Sequence, residues 1–360
     1  MKIGIVGAGQ LGRMLGLAAI PMGIECEFLD KAADAPAAAV GRIRIGSLED
    51  SNAITALARD VDVLTPEIEN VSAAALDAAA RFCRVAPPAA VIAAAQDRVS
   101  EKRLFETYGI PTAEYAVINS KADAAALDVG HDRPRLIKTR RLGYDGRGQR
   151  LVRSTAEAQS AFDALGGVPA IAEALVEFER EVSLIAVRGR AGDTAFYPLC
   201  ENSHRDGILE STIAPWEDAR LQAQAEAWVA ALMQRTEYVG VLTVELFVTA
   251  HGLVANEMAP RVHNSGHWTI EGAHTSQFEN HLRAIAGLPL GDTAARGHAA
   301  MLNLVGEMPD RTRVLAVPGA HLHEYGKLPR PGRKLGHCTV VESDRPALLK
   351  RLKILRNAIS

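Results

Sequence analysis

Two glutamates interrupt otherwise apolar stretches, Glu245 in LTVELFV and Glu257 in VANEMAP. A carboxylate inside an apolar strand is costly unless it is paired or bound to a cation. Brought together on neighbouring strands, two such groups are hard oxygen ligands suited to Mg2+ and a substrate phosphate. The alternative is that each forms a salt bridge, with Arg261 a nearby partner. APRVHNSGHW (259–268) follows at once and gathers Arg261, His263, Asn264, His267 and Trp268 in a loop, where function tends to concentrate. His263 and His267 have the i, i+4 spacing of a helical zinc site, but Asn264-Ser265-Gly266 argues against a helix there. Donors collected for an anionic substrate fit better than zinc.

Two glycine-rich stretches could approach phosphate. IKTRRLGYDGRGQ (137–149) sets Gly143, Gly146 and Gly148 between two predicted strands and lacks the G-K-[ST] ending of a P-loop. Such a hairpin, carrying Arg147, could fold over a triphosphate and donate its amides, with Lys138 aimed at the same oxygens. A plain β-hairpin is the alternative. GIVGAGQLGRML (4–15) holds Gly7, Gly9 and Gly12 as G-x-G-x-x-G after an apolar run, with Asp30 behind. Its physical content is a tight strand-to-helix turn whose amides favour an anion. A pyrophosphate, a phosphate monoester, or mere close packing of the helix would each account for it. A nicotinamide oxidoreductase built on this turn would leave GYDGRGQ, Glu245 and Glu257 without a task. YGKLPRPGRKLGH (325–337) is either a solvated basic turn or, if folded onto the opening turn, a place where Lys327 and Arg333 neutralise a phosphate.

These groups need elements to hold them. Residues 1–95 alternate short apolar strands (KIGIV, ECEFLD, DVLTP) with Ala-rich helices near Leu11–Pro21 and Asn52–Arg59, which implies a parallel sheet with helices on both faces. VAPPAAVIAAAQDR (85–98) holds a Pro pair and then restarts a helix, so a domain boundary is placed at 95/96. Asp97 is expected to cap the helix that carries Arg98 and Lys102. From 110 to 170, TAEYAVI, a helix, RLIKT, the glycine loop, RLVRS and another helix make a small α+β lid unit. Residues 170–260 hold the longer strands AIAEALV, EREVSLIAV, TAFYPLCE, VGVLTVELFV and GLVANEM, expected as an antiparallel sheet with the helix near 217–234 packed on it. The lid unit and this sheet form one domain, 96–295. AAMLNLVG, AHLHEYG, HCTVVES and a basic terminal helix make a small β-rich domain at 296–360.

With 360 residues, 48% hydrophobic and 23% charged, the chain has the composition of a soluble globular protein of two or three domains. A net charge of −3 supplies no global basic field, so neither nucleic acid nor a membrane surface is an expected partner. Gln10 and Arg13 interrupt the first apolar run too early for a signal peptide, and no stretch approaches a transmembrane span. Cys26, Cys83, Cys200 and Cys338 lie far apart without C-x-x-C spacing, a pattern that suits a reducing cytoplasm.

Taken together, GQLGRM, DR-x-x-x-K at Asp97–Lys102, GYDGRGQ, FEREVS at 178–183, HRDGIL, NEMAPRVHNSGHW and RPGRKLGH resemble the ATP-grasp superfamily over nearly the whole chain. Within it the chain is similar to the N5-carboxyaminoimidazole ribonucleotide synthase family; a different ATP-grasp ligase, such as a formate-dependent glycinamide ribonucleotide transformylase, is the alternative. The resemblance implies a mixed α/β and α+β ATP-grasp fold, with a Rossmann-like parallel-sheet domain before it and a small β-rich domain after it. It implies ATP-dependent carboxylation of 5-aminoimidazole ribonucleotide by bicarbonate through carboxyphosphate, with Mg2+, in a cytoplasmic homodimer. By the same resemblance ATP is surrounded by Arg98, Lys138, the loop Gly143, Tyr144, Asp145, Gly146, Arg147, Gly148 and Gln149, then Glu173, Ala174, Leu175, Val176, Glu181, His204, Asn256 and Glu257. Glu245 and Glu257 hold Mg2+, and Arg261 stabilises carboxyphosphate with His263 and Asn264 nearby. Tyr144 and Asp145 contact the aminoimidazole, Lys327 and Arg333 its phosphate, and Gln10 and Leu11 line the ribonucleotide site, so the opening turn holds no NAD. Ala259 stands where many ATP-grasp enzymes use Asn as a further metal ligand.

Overall fold

The computed structural model describes residues 1–143, 146 and 148–359. Its first sheet contains β1 (Lys2–Val6), β2 (Glu25–Asp30), β3 (Arg42–Ile45), β4 (Val63–Pro66) and β5 (Arg84–Val85), all parallel, in the order β3-β2-β1-β4-β5. The central strands are apolar without alternation because both faces are covered. Ile3, Ile5 and Phe28 pack with helix α1 (Gln10–Ala19), while Val6, Leu29 and Leu64 pack with α2 (Ser51–Ala58) and α3 (Ala73–Ala79). Asp50 and Ser72 start α2 and α3 by accepting the amides of Asn52 and Ala75, which would otherwise be orphaned in the first turn.

Helices α4 (Ala89–Ala95) and α5 (Arg98–Thr107) lead out of this sheet. Asp97 does cap α5, accepting from the amides of Val99 and Ser100, and Arg140 grips the same carboxylate at 2.8 Å. A second, antiparallel sheet takes β6 (Tyr115–Ile118), β7 (Arg135–Thr139), β8 (Gln149–Val152) and β9 (Ala170–Ala174) in the order β6-β9-β7-β8. Helices α6 (Lys121–Ala125) and α7 (Thr155–Ala164) cover one face, where Phe162 of α7 packs in one core with Ile118 and Ile137. Since side chains alternate along a strand, Leu136 and Lys138 face the other way, into a cavity.

The large sheet holds β10 (Arg180–Arg188), β11 (Thr194–Phe196), β12 (Cys200–Arg205), β13 (Ile208–Ala214), β14 (Gly240–Thr249) and β15 (Gly252–Ala259), with α8 (Ala219–Arg235) laid on one face through Leu221, Ala225, Val229 and Leu232. TAFYPLCE, expected as one strand, divides into β11 and β12 around Pro198, which has no amide to give to a ladder. The chain then forms α9 (Thr269–Gly272), α10 (Gln277–Ala286), β16 (His298–Val305), α11 (Arg311–Leu315), β17 (His321–Glu324), β18 (Lys334–Glu342) and α12 (Arg345–Ile359). β16 pairs with β13, so the C-terminal strands extend the large sheet as β15-β14-β10-β12-β13-β16-β18-β17. They also keep a core of their own, where Leu302 and Val340 meet Leu348 and Leu352 of α12.

Helix α10 escaped the sequence reading because Gln277, Asn280 and His281 interrupt its apolar periodicity, yet all three are buried. His281 accepts the Val241 amide at Nδ1 (3.1 Å) and meets Thr65 Oγ1 at Nε2 (3.0 Å), joining β14 to β4. Burial pushes its pKa down to about 4, whereas an unfolded histidine titrates near 6.5. A depressed base contributes stability that is complete above the unfolded value and is lost as pH falls from about 6.5 towards about 4. About 2 kcal/mol of unfolding free energy should therefore disappear between pH 7 and pH 5 through this residue alone. In urea titrations at those two pH values, His281→Asn, which keeps an acceptor near Nδ1, should lose correspondingly less than the parent protein. Equal losses would contradict the assignment.

Candidate active site

Two cavities meet at the strand glutamates. One of 360 Å³ lies between the small sheet and the large one, and another of 580 Å³ lies between the first domain, α5 and the loop 325–334. Arg98, Glu245, Glu257, His263, Asn264 and Lys334 line both.

In the smaller cavity, Lys138 of β7 meets Glu173 of β9 at 2.6 Å, and Lys102 of α5 holds the other Glu173 oxygen at 3.3 Å while donating to the Asn256 carbonyl at 3.2 Å. Burial pushes the Glu173 carboxyl up, but the flanking lysines overcome it and hold it below the usual range. Ala174, Leu175 and Val176 continue along the wall, and the rings of Phe178 and Phe247 stack at 4.7 Å. Glu181 pairs with His204; burial pushes that histidine down, and the carboxylates around it raise it above its ordinary value. An apolar slot beside a floor of charged groups suits a planar base followed by a polyphosphate.

Glu245 and Glu257 stand opposite one another across β14 and β15, beside an irregularity in the ladder. Arg98 binds Glu257 at 2.9 Å, and His263 Nε2 lies 3.3 Å from Glu245. Burial and the charge of Glu257 push Glu245 up to about 7. Glu257 is held down to about 2 because Arg98 outweighs its desolvation. The side chain of Glu257 is 40% exposed, into the cleft. Two carboxylates on adjacent strands, open to both cavities, are hard oxygen donors that fit a divalent cation. Zinc does not fit: His267 is buried against Phe278, and among the described residues no three His, Cys, Asp or Glu could hold a metal together.

The larger cavity contains Arg261, whose Nε donates to Glu69 at 2.5 Å and whose Nη1 donates to the Val262 carbonyl at 3.1 Å. Each strand acid does have a side-chain partner, as the salt-bridge alternative expected, but the partners are Arg98 for Glu257 and His263 for Glu245, while Arg261 pairs with Glu69. Burial pushes Glu69 up, but Arg261 brings it below the usual carboxylate range. Lys327 donates to the Gln10 side chain, and Leu11 adjoins them. Arg333, expected beside Lys327, lines neither cavity; its guanidinium donates to the Leu328 carbonyl at 3.2 Å, and Lys334 is the loop-end cation that faces both.

Among the glycine-loop residues, Gly143 lines the larger cavity, Gly146 and Gln149 the smaller one. The Gly148 carbonyl accepts the Thr139 amide, closing the expected hairpin. Tyr144, Asp145 and Arg147 lie outside the described residues.

The opening turn has its anion from within the protein. Glu67, just beyond β4, accepts the amides of Gly9 (2.5 Å) and Gly12, and Asp30 accepts that of Ala8 at 3.1 Å. A Cβ at Gly9 would sit 2.7 Å from the Glu67 carboxylate, so the close approach requires glycine. The two features that suggested a dinucleotide, the amide cradle and the trailing acid, are therefore both engaged internally. Sequence reading missed Glu67 and Glu69, although acids at the carboxyl end of a parallel strand are a ligand-facing position. It also missed Gln277, which clamps both backbone groups of His263 from α10 (2.9 and 2.6 Å).

Residues 1–96 match the ribonucleotide synthetase preATP-grasp domain family, 103–278 the ATP-grasp domain family, and 299–351 the phosphoribosylaminoimidazole carboxylase C-terminal domain family. The chain is 50% identical over 352 residues to an N5-carboxyaminoimidazole ribonucleotide synthase of Pseudomonas aeruginosa, covering 98% of each chain. It superposes with a TM-score of 0.94 on the crystal structure of N5-carboxyaminoimidazole ribonucleotide synthetase from Thermus thermophilus, at 49% identity, covering 99% of this chain and 98% of that one. An Aspergillus clavatus N5-carboxyaminoimidazole synthase in complex with ADP and 5-aminoimidazole ribonucleotide gives a TM-score of 0.92 at 32% identity, with 99% and 98% covered.

Proposed function

The chain belongs to the N5-carboxyaminoimidazole ribonucleotide synthase family of ATP-grasp enzymes, and on that premise we propose how its two cavities divide the reaction. The enzyme uses ATP to join bicarbonate to the exocyclic amine of 5-aminoimidazole ribonucleotide, giving N5-carboxyaminoimidazole ribonucleotide, ADP and phosphate. ATP takes the smaller cavity, its base beside Phe178 and Phe247 and its phosphates directed past Lys138 towards Glu257. Bicarbonate is a poor electrophile, so its oxygen first attacks the γ-phosphate and expels ADP, giving carboxyphosphate; the exocyclic amine then takes the carboxyl group, losing a proton as inorganic phosphate leaves. Glu245 and Glu257 would hold Mg2+, which when bound neutralises and orients the triphosphate. Arg261, oriented by Glu69 and flanked by His263 and Asn264, receives the charge of carboxyphosphate. The ribonucleotide lies in the larger cavity, with its phosphate towards Lys327 and Gln10.

The observation that carries this division is that both cavities open onto Glu245 and Glu257, so a phosphoryl group delivered from one side can be used from the other without crossing bulk water. Phosphate release from ATP tests it. Release should require bicarbonate and be stimulated by 5-aminoimidazole ribonucleotide; equal rates without either would refute the reading.

The loop cations give a sharper test. Lys327→Ala should raise KM for the ribonucleotide about tenfold, the loss expected when a phosphate loses one charge-assisted partner. Arg333→Ala should change it less than about twofold, because that guanidinium is spent on its own loop. Equal effects would return Arg333 to the substrate phosphate. A cytoplasmic homodimer completes the proposal: Cys26, Cys83, Cys200 and Cys338 are free thiols, as a reducing compartment favours, and light scattering decides the oligomeric state. Among the described residues no helix is long and apolar enough to cross a membrane.

A further inference from the structure

Three histidines from three separated motifs, none with a place in the chemistry above, come together beneath the loop 325–334. His337 of β18 stacks on His323 of β17, with ring centroids 4.3 Å apart and planes 8° from parallel, and His267 lies 4.8 Å away on the other side. His323 Nε2 meets Glu271 of α9 at 2.7 Å. The Tyr325 hydroxyl meets His337 Nδ1 at 2.7 Å, and the Tyr325 amide donates to the Leu335 carbonyl. Tyr325 is 1% exposed and His267 and His337 are fully buried. Burial keeps the tyrosine protonated and both histidines neutral, so the contact between Tyr325 and His337 is a neutral hydrogen bond made where water cannot replace it.

Lys327 lies two residues beyond Tyr325, with its ammonium 5.7 Å over that ring while it donates to Gln10. Further along the loop, Leu328 is 80% exposed, whereas Tyr325 is buried. The Tyr325 ring, together with the Gln10 side chain, therefore helps to place the cation, through a contact within cation–π range. His337 in turn fixes the ring, and the stack fixes His337 against the turn that follows His263 and Asn264.

We propose that Tyr325 and His337 are positioning residues for 5-aminoimidazole ribonucleotide, acting through Lys327 to hold the ammonium at the ribonucleotide end of the larger cavity. The inference rests on the assignment of Lys327 to that substrate. Neither residue lines the smaller cavity, so ATP binding should not sense them.

The test is a double-mutant cycle on the full-length enzyme. Tyr325→Phe removes one oxygen and keeps the ring, so the fold should persist, with a melting temperature close to that of the parent. It should raise KM for the ribonucleotide about fivefold, the loss of one buried hydrogen bond, and move KM for ATP less than about twofold. In a Lys327→Met background the same change should have no further effect, because its route to substrate is gone. His337→Asn, which keeps an acceptor near Nδ1, should stay near the parent KM, whereas His337→Leu should match Tyr325→Phe. If Lys327→Met itself leaves KM for the ribonucleotide unchanged, the assignment of that lysine falls and this inference with it. If Lys327→Met raises it but Tyr325→Phe does not, or the two effects multiply, or both KM values rise together, the positioning role alone is overturned.

Discussion

Phosphate release by the Glu257→Gln protein should fall by about a thousandfold, with the melting temperature almost unmoved. The expectation follows from what this carboxylate does that its neighbour cannot. Arg98 keeps Glu257 ionised, while Glu245, opposite it, is pushed up to about 7 and shares a proton with solvent near neutrality. In the glutamine protein the repulsion on Glu245 is gone, so Glu245 ionises more readily and the cleft keeps much of its negative charge. What would be lost, on the proposed reading, is the second oxygen donor across the strand pair, and with it the clamp that would hold a metal for the phosphates. Losing such a clamp costs several kcal/mol at the transition state, and about 4 kcal/mol corresponds to the stated factor. Gln has the same length, and the loss of the ion pair with Arg98 is offset by relief of the repulsion that Glu257 exerts on Glu245 and Glu101, so stability should change little. Near-normal release by a folded Glu257→Gln enzyme would show that the strand acids do not hold the metal.

Much of this site was legible in the chain because its chemistry violates its surroundings. Glu245 and Glu257 announced themselves as acids in apolar strands, and the register then placed them face to face. The glycine hairpin was legible from composition, three glycines within six positions, and two of them, Gly146 and Gly148, do take positive φ. The first sheet was readable because a parallel strand covered on both faces is continuously apolar. Residues whose role depends on where another segment lands were not readable. Glu67 and Glu69 look like ordinary loop acids until β4 is seen to end beside the opening turn and beside Arg261. Gln277 is indistinguishable from a solvent-facing glutamine until α10 is seen to bury it under His263. The opening turn misled in an instructive way. Its geometry does call for an anion at the helix start, and local sequence cannot say whether a ligand or a glutamate some 55 residues away provides it. Arg333 and Lys334 are adjacent and alike in charge, and only the hairpin that carries them decides which one faces the cavities.

The contact between Glu69 and Arg261 joins two domains, which is why it should matter more to catalysis than to binding. Arg261 follows β15 and reaches into the larger cavity; Glu69 approaches from the first domain and accepts the hydrogen bond of Nε–H, leaving the terminal nitrogens of the guanidinium directed by that single anchor and by the Val262 carbonyl. A donor aimed in advance at developing charge typically contributes a factor of about 100 to 1,000. Arg261→Lys keeps the charge but loses both the Nε contact and the planar fork, so kcat should fall about a hundredfold. Glu69→Gln keeps an acceptor for Nε and loses the charge that holds the guanidinium, and should lower kcat about tenfold. Because Glu69 acts through Arg261, the double variant should be no slower than Arg261→Lys alone, the signature of two residues in one device. KM for ATP should stay within about twofold throughout, since Arg261 lines only the larger cavity and the triphosphate, in the proposed division, is held by Lys138, Arg98 and a cation on the strand acids. Multiplicative losses in the double variant would mean that Glu69 serves some other group, and a rise in KM for ATP would place Arg261 on the nucleotide instead of on carboxyphosphate.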